Sequence, residues 1–340
     1  MRSYDPGKIG CYAGWRRYEG NPVIDERIGE VSDAVVLEEN GKYKMYYSHR
    51  FLKKILLAAG ENGLDFRPYA EGAVTDEDVD TKAYIVGDHF YADGGDYGYT
   101  LTRRPELGWE AAVCQPYVIK KDGGYHLFYT GKHFDLLQEK YDRSVIAHAV
   151  SRNGQNWKPR NTPVLEGDQL WEKDMTSYPC VMWDNEEQLF KMWYSGGDIE
   201  KPSAIGYAVS RDGDHWEKPF RGPVFEKDGT TLEKERAGAC HVIKEDGWYY
   251  MFYTAWQDEY KSRICAARSR DGVTCWERHP ANPLVTWGQF GAWDVESVCR
   301  PFVLHEQGRW LCYYTGSARG QNRIGVLLHD GEDLGFGGAL

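Results

Sequence analysis

Five residues at matching places in a repeated segment are the strongest candidates for chemistry. Each directly precedes a Pro, Ala or Cys at the start of an apolar run: Asp33, Gln115, Tyr178, Ala239 and Arg300. Asp33 is the carboxylate among them, and a carboxylate can act as a base or nucleophile when a second acid supplies the proton. The planar guanidinium of Arg300 can bind vicinal hydroxyls, a carboxylate or a phosphate. The set therefore points to acid–base chemistry on a polar substrate.

A second carboxylate recurs five residues before the Pro-like position in three of the segments, as Asp174, Glu235 and Glu296. Burial of such a group among aromatic side chains would raise its pKa and favour the protonated form that an acid catalyst needs. Another acid recurs seven residues before that position, as Glu172, Glu233 and Asp294. An acid that recurs at one place in several repeats also suits a structural contact between repeats, so both interpretations stay open.

The elements that must position these residues are repeated five times. A strand that ends in two aromatic residues is followed by Ser or Thr at positions 48, 130, 195, 254 and 315, and the Pro-like position lies 14, 14, 16, 14 and 14 residues earlier. Asn-Gly and Asp-Gly dipeptides mark tight turns within each repeat. Four antiparallel strands per repeat, copied radially, predict an all-β fold, a five-bladed β-propeller that forms one domain over residues 1–340. A pair of β-sandwiches would not produce five equal copies.

Two segments depart from the repeat. The phrase from Trp15 to Pro22 resembles the outer-strand phrase of the repeats, so we expect residues 1–29 to complete the fifth blade and close the ring. Residues 67–113 contain a long insertion between the first two blades. A loop of this length predicts a wall of the substrate cavity or a contact that joins copies of the chain in a homo-oligomer. The third alternative is a surface loop with no functional role.

Composition excludes several classes of partner. The formal charge is −11 and the pI about 5.5, which disfavours nucleic acid and an anionic membrane surface. No apolar run approaches the ~18 residues of a membrane span. The eight Cys form no CxxC pair, and the start has no secretory leader pattern, so we expect a reducing, cytoplasmic location. No motif for a metal or a cofactor is present, and none is expected.

The repeat phrases, among them SRDGDHW from Ser210 and SRDGVTCW from Ser269, together with Asp33 resemble the five-bladed propeller glycoside hydrolase superfamily. That superfamily includes arabinanases and xylosidases, invertases and levansucrases, anhydrogalactosidases and mannoside phosphorylases. The resemblance implies that the residues before the Pro-like positions face a central funnel, with Asp33 as base or nucleophile. It implies a proton donor from Asp174, Glu235 or Glu296, of which Asp174 ranks first because it lies in the third blade.

The resemblance implies a glycosidase that hydrolyses a short oligosaccharide or a small glycoside. Residues expected to bind substrate are Gln115, Tyr178, Arg300, His49, Arg50, His241 and Trp171. The chain departs from the pattern at Gln115, where related enzymes carry Asp, and at Ser177, where third-blade acids are often found. Two alternatives stay open. One is a phosphorylase of the mannoside type, with a phosphate cradle drawn from His49, Arg50, Lys53, Lys54, Arg103 and Arg104. The other is a non-catalytic carbohydrate-binding propeller.

Overall fold

The computed structural model describes residues 6–24, 29–68, 83–86, 89–92 and 101–337. Regular structure in these ranges is almost entirely β-strand. The helical elements here are two short 3-10 turns, Pro6–Lys8 and Pro105–Leu107. No helix in the described ranges is long and apolar enough to cross a membrane. The predicted all-β class is confirmed.

The first repeat illustrates how the sequence becomes a sheet. After a two-residue strand, β1 (Arg16–Arg17), the chain forms four antiparallel strands: β2 (Val31–Glu39), β3 (Lys42–His49), β4 (Lys54–Gly60) and β5 (Phe66–Pro68). The turn between β2 and β3 is Asn40–Gly41, with φ of 55° and 77°. Positive φ at both positions matches the twist of a two-residue hairpin, and Asn and Gly tolerate it best. This turn fixes the register in which Glu39 lies opposite Lys42.

The remaining repeats follow the same order. A separate two-stranded hairpin, β6 (Ala83–Val86) and β7 (His89–Ala92), precedes the second repeat. The second sheet has β8 (Ala112–Lys121), β9 (Gly124–Asp135), β10 (Lys140–Ser151) and β11 (Lys158–Pro159). The third has β12 (Met175–Asp184), β13 (Leu189–Asp198), β14 (Lys201–Ser210) and β15 (Trp216–Glu217), and β16 (Phe225–Glu226) also pairs with β14. One parallel residue pair, Ser144 with Met175, links these two sheets. The fourth has β17 (Arg236–Glu245), β18 (Trp248–Trp256), β19 (Ser262–Ser269) and β20 (Glu277–Arg278).

The fifth sheet combines both ends of the chain. Its first three strands are β21 (Ser297–Glu306), β22 (Arg309–Ala318) and β23 (Gln321–Asp330). The fourth is β1, in which Arg16 pairs with Leu328 and Arg17 with Leu327. This pairing is the one that the Trp15–Pro22 phrase predicts, and it covers the outer edge of β23.

The high aromatic content fills the interior of the sheets. The aromatic pair that ends the second strand of each repeat is almost fully buried, at no more than 1% exposure. The ten side chains are Tyr46, Tyr47, Phe128, Tyr129, Trp193, Tyr194, Phe252, Tyr253, Tyr313 and Tyr314. Packing therefore accounts for these aromatic residues, and they are not available to stack on a ligand.

The first strands of the five repeats contact one another in cyclic order, with β21 returning to β2. Each first strand has a register shift at the residue before the Pro-like position, and this residue has positive φ in all five: Asp33, Gln115, Tyr178, Ala239 and Arg300. Its N–H donates to the Ser or Thr hydroxyl of the preceding repeat, at 2.7–3.3 Å. The acceptors are Thr315, Ser48, Thr130, Ser195 and Thr254, in the same order. The bulge turns the side chain out of the ladder, and the shared hydrogen bond holds all five at one place.

Removal of one of these acceptors is expected to destabilise the fold. Thr254→Val keeps the shape of a fully buried side chain but leaves the N–H of Arg300 without its 2.8 Å acceptor. An unsatisfied buried donor costs about 1–3 kcal/mol, so the free energy of unfolding in urea should fall by that amount. Thr162→Val is the matched control because Thr162 is exposed, and it should change stability by less than ~0.5 kcal/mol. Equal stability of the two variants would contradict the structural role of the ring of hydroxyls.

The prediction for the 67–113 insertion falls mostly outside the described residues. The backbone hairpin of β6 and β7 belongs to it, and residues 101–113 lead into β8. Its roles as a cavity wall and as a contact between copies stay predictions.

Candidate functional site

A cavity of about 330 Å³ lies where the first strands begin. Four of the five bulge residues line it: Asp33, Gln115, Tyr178 and Arg300. A narrow channel of about 40 Å³ continues beneath them, lined by the same residues and by those that follow, such as His241 and Phe302. The cavity is at the small end of the ~300–1,000 Å³ range of ligand sites.

Asp33 is held rigidly at the base of the cavity. It is buried, its Oδ2 accepts a hydrogen bond from Ser32 Oγ at 2.8 Å, and its Oδ1 lies 3.0 Å from Nη1 of Arg300. Arg300 also lies over the ring of Tyr178, 5.5 Å from the centroid. Burial opposes the charge of Arg300, but Asp33 and Tyr178 outweigh it and raise the pKa of the guanidinium. The result is an oriented carboxylate with a fixed cation on one side.

Gln115 carries unused hydrogen-bonding capacity into the same space. Its Oε1 is buried and has no hydrogen-bond partner among the residues that the structure describes. Buried polar atoms are normally satisfied, so an unpartnered one that lines a cavity is available to a ligand. An amide can accept from a sugar hydroxyl, which fits the substrate-binding role predicted for this position.

A basic wall lies on the side formed by the first two repeats. Arg50, Lys53 and Lys132 line the cavity there, together with Tyr141. Glu200 reaches the same space from the turn between β13 and β14 and binds Lys132 Nζ at 2.8 Å. Lys132 lowers the pKa of Glu200, and Arg50 and Arg300 lower it further, although burial opposes them. Glu200 is therefore anionic near neutral pH.

The charge of the cavity is opposite to that of the whole chain. Its lining carries four basic side chains, Arg50, Lys53, Lys132 and Arg300, and two carboxylates, so its formal charge is +2 with His49 neutral. The whole chain carries −11. A positive cavity in an acidic protein favours anionic or electron-rich ligands.

The three predicted proton donors do not reach this cavity. Asp174, Glu235 and Glu296 are exposed, and none of them lines the cavity or the channel. Glu296 instead accepts from the backbone N–H groups of Arg319 at 2.7 Å and Gly320 at 3.1 Å, which lowers its pKa. All three lie in the segment before the first strand, ahead of the bulge. The bulge turns the chain, so a position counted back through it does not share the direction of Asp33.

The acids two residues earlier are buried and structural. Glu172 accepts from the hydroxyl of Tyr194 at 2.5 Å, and Asp294 accepts from Tyr314 at 2.9 Å. Glu233 accepts from Tyr253 and Glu110 from Tyr129 in the same way.

Each of these four acids also forms an ion pair with a basic side chain. The pairs are Glu172 with Lys218, Asp294 with Arg17, Glu233 with Arg278 and Glu110 with Arg104. The recurrent acid therefore ties the entry segment of a sheet to its second strand, and Arg104 belongs to such a contact instead of a phosphate cradle.

Two other predicted substrate contacts lie elsewhere. His241 lines the channel beneath the cavity, where its Nε2 lies 3.0 Å from the hydroxyl of Tyr117 and its Nδ1 accepts from Val303 N–H. Burial lowers its pKa to about 3, so it is neutral. Trp171 packs against Tyr194 in the third sheet and borders a surface groove. His49 and Arg50 do line the cavity as predicted, and so does Lys53, whereas Lys54 and Arg103 do not.

Sequence reasoning missed four cavity-lining side chains that come from the hairpins between the second and third strands. They are Lys132, Tyr141, Glu200 and Asn322. All come from the turns between the second and third strands or from the strand ends beside them. Lys132 had a readable signal because it stands two residues after Thr130, as Arg50 does after Ser48. The other three had none, because the lengths of these hairpins vary between repeats.

Comparison with known proteins agrees with this architecture. The chain is 30% identical over 221 residues to an uncharacterized protein of Mycobacterium tuberculosis, which covers 59% of this chain and 66% of that one, just under two thirds. It is 33% identical over 133 residues to a 1,2-beta-oligomannan phosphorylase of Thermoanaerobacter sp., covering 36% of this chain and 42% of the phosphorylase.

A crystal structure of a thermostable family-43 glycoside hydrolase is similar in fold. The TM-score is 0.64 at 15% identity, with 90% of this chain and 91% of that chain covered. The family model for glycosyl hydrolases family 43 matches residues 95–325, more than half of the sequence. The chain belongs to glycosyl hydrolases family 43.

Proposed function

We propose that this chain cleaves a glycosidic bond in a short oligosaccharide or a small glycoside, with Asp33 as base or nucleophile. The observation that carries the proposal is the placement of Asp33, a buried and oriented carboxylate at the base of a cavity lined by Gln115, Tyr178 and Arg300. Cleavage of a glycosidic bond needs a carboxylate in such a position. Membership of family 43 supports the same class of reaction.

The proposal includes a closed five-bladed propeller with four strands per blade. Its support is the cyclic contact of the five first strands and the five backbone-to-hydroxyl hydrogen bonds that link each repeat to the next. A closed ring would bring the bulge residues of all repeats to one axis, where a single substrate can contact several of them.

We infer that the proton donor is not one of the three acids expected from the sequence, because none of them lines the cavity. Among the described cavity-lining residues, Glu200 is the carboxylate other than Asp33. Its lowered pKa keeps it ionised, so the free protein does not offer it as an acid. Substrate that displaces Lys132 from Glu200 would remove the main cause of this lowering, and burial of the carboxyl by the bound sugar would then raise its pKa and favour the protonated form. Glu200 is therefore our candidate for the donor in the substrate complex.

Phosphorolysis is the second candidate. The basic wall of Arg50, Lys53 and Lys132 provides charge for an incoming phosphate, and the similarity to a 1,2-beta-oligomannan phosphorylase points in the same direction. Both reactions would use the same cavity and the same Asp33 environment.

The reaction takes place in the cytoplasm in this proposal. All eight Cys are free thiols, four of them at least partly accessible and four buried, as a reducing compartment allows. No cofactor is part of the proposed reaction.

Product analysis on a panel of arabino-, xylo- and β-1,2-linked manno-oligosaccharides, with and without phosphate, tests the proposal. Release of free sugar without phosphate would support hydrolysis, and phosphate-dependent release of a sugar phosphate would select phosphorolysis. Asp174→Asn is the matched control because Asp174 is an exposed acid outside the cavity, and it should retain full activity. Binding of a panel member without any turnover would instead support the carbohydrate-binding alternative.

A further inference from the structure

Two of the three cations in the basic wall, Lys53 and Lys132, contact an aromatic pair. Phe134 and Tyr141 stand opposite each other on the long β9–β10 hairpin, 5.3 Å apart and edge to face. Lys53 Nζ lies 5.7 and 5.8 Å from the two ring centroids, and Lys132 Nζ lies 5.3 Å from that of Tyr141. Two ammonium groups from different repeats are thus directed to one aromatic surface at the cavity.

One carboxylate already occupies this wall. Glu200 crosses from the third repeat to bind Lys132 at 2.8 Å, at the tip of a two-residue turn. The Glu200 side chain is 54% exposed, whereas that of Lys132 is 14% exposed. The buried partner is therefore the cation, so a ligand oxyanion that takes the place of Glu200 keeps the charge of Lys132 compensated, while the more exposed Glu200 carboxylate turns away from Lys132 within the cavity.

Arg50 also keeps hydrogen-bond donors that its protein partner does not use. Arg50 binds Glu30 through Nη1 at 2.9 Å while its side chain is 66% exposed. An arginine has five N–H donors and a lysine ammonium has three, so a single ion pair leaves capacity for a ligand. The lining is rich in donors and short of acceptors on this side.

We propose that Lys132, Lys53 and Arg50 form an oxyanion subsite at the mouth of the cavity, and that Glu200 is a resident counter-ion that the ligand displaces. The ligand class is a phosphate or carboxylate group. Its source is either free phosphate or an acidic group on the sugar itself. The proposal deepens the proposed function, on which its relevance to catalysis rests, but binding of the anion does not require turnover.

Calorimetric titration of the full chain with inorganic phosphate, glucuronate and neutral glucose, at constant ionic strength, tests the subsite. We expect saturable binding of phosphate, of glucuronate or of both, and the stronger ligand identifies the source. Lys132→Met removes the charge but keeps an apolar stem, and it should weaken binding at least ~tenfold because a charge-assisted contact is lost. Glu200→Gln should tighten binding about two- to fivefold, because the ligand no longer competes with the Glu200 carboxylate for Lys132.

Asp174→Asn is the matched control for Glu200→Gln because it removes the same unit of negative charge away from the cavity. It should leave the affinity unchanged, which separates local displacement from net charge. Binding of neither anion to the wild type, or equal affinity of Lys132→Met and wild type, would overturn the subsite. If Lys132→Met does not fold, Glu200→Gln decides: affinity no tighter than in Asp174→Asn would overturn it. Asp33→Asn should still bind the anion, so failure of glycoside cleavage and failure of the subsite are distinguishable.

Discussion

Asp33→Asn is expected to lower the rate of glycoside cleavage by at least ~10²-fold, the scale on which a positioned base or nucleophile contributes. The amide keeps an oxygen that can accept from Arg300 and Ser32 but loses the charge that attack or proton removal requires. The unfolding transition should therefore stay cooperative, and the melting temperature should barely change. Steady-state kinetics on the best substrate of the panel measures the loss.

Asp174→Asn is the control for that experiment. It makes the same chemical change at an exposed acid that the sequence ranked as the proton donor and that the structure places outside the cavity. Retained activity in this variant is expected. A loss in Asp174→Asn as large as that in Asp33→Asn would contradict the assignment of the site.

Asp294→Ala is expected to destabilise the protein by about 3–5 kcal/mol. Asp294 is fully buried and binds Arg17, whose side chain is 10% exposed, at 2.8 Å. Loss of one partner leaves a buried charge uncompensated. It also removes the acceptor for the hydroxyl of Tyr314 and releases the strand that completes the fifth sheet. Urea denaturation measures the change in the free energy of unfolding.

Asp330→Ala is its matched control because its partner, Arg16, lies on the same short strand as Arg17. Asp330 binds Arg16 at 3.1 Å, but these side chains are 68% and 36% exposed. An exposed pair of this kind is worth at most about 1 kcal/mol. A loss of stability in Asp330→Ala that equals the loss in Asp294→Ala would show that the buried contact has no special role in closing the fifth sheet.

The sequence predicted the elements and one part of the site because both depend on a repeated local geometry. Each Pro-like position follows a bulge residue with positive φ, so equal positions in the phrase reach equal positions in space. This is why Asp33, Gln115, Tyr178 and Arg300 meet at one cavity although the chain separates them by up to 267 residues.

The rest of the site could not be predicted by counting. Asp174 and Glu296 recur at a fixed distance before the bulge, but a bulge breaks the alternation of side-chain direction, so the count loses its meaning there. Tyr141 and Glu200 come from hairpins of unequal length, and no repeat phrase marks them. The opposite sign of the cavity and of the chain is likewise visible only when side chains from different repeats are brought together.

Chromatographic analysis of products from the oligosaccharide panel, with wild type and Asp33→Asn in parallel and with phosphate present, tests the central claim most directly. We expect the wild type to convert at least one class of glycoside to free sugar or sugar phosphate, and Asp33→Asn to give at least ~10²-fold less product in the same time. Equal product from both proteins, or no conversion of any glycoside by the wild type, would contradict the claim that the Asp33 cavity cleaves glycosidic bonds.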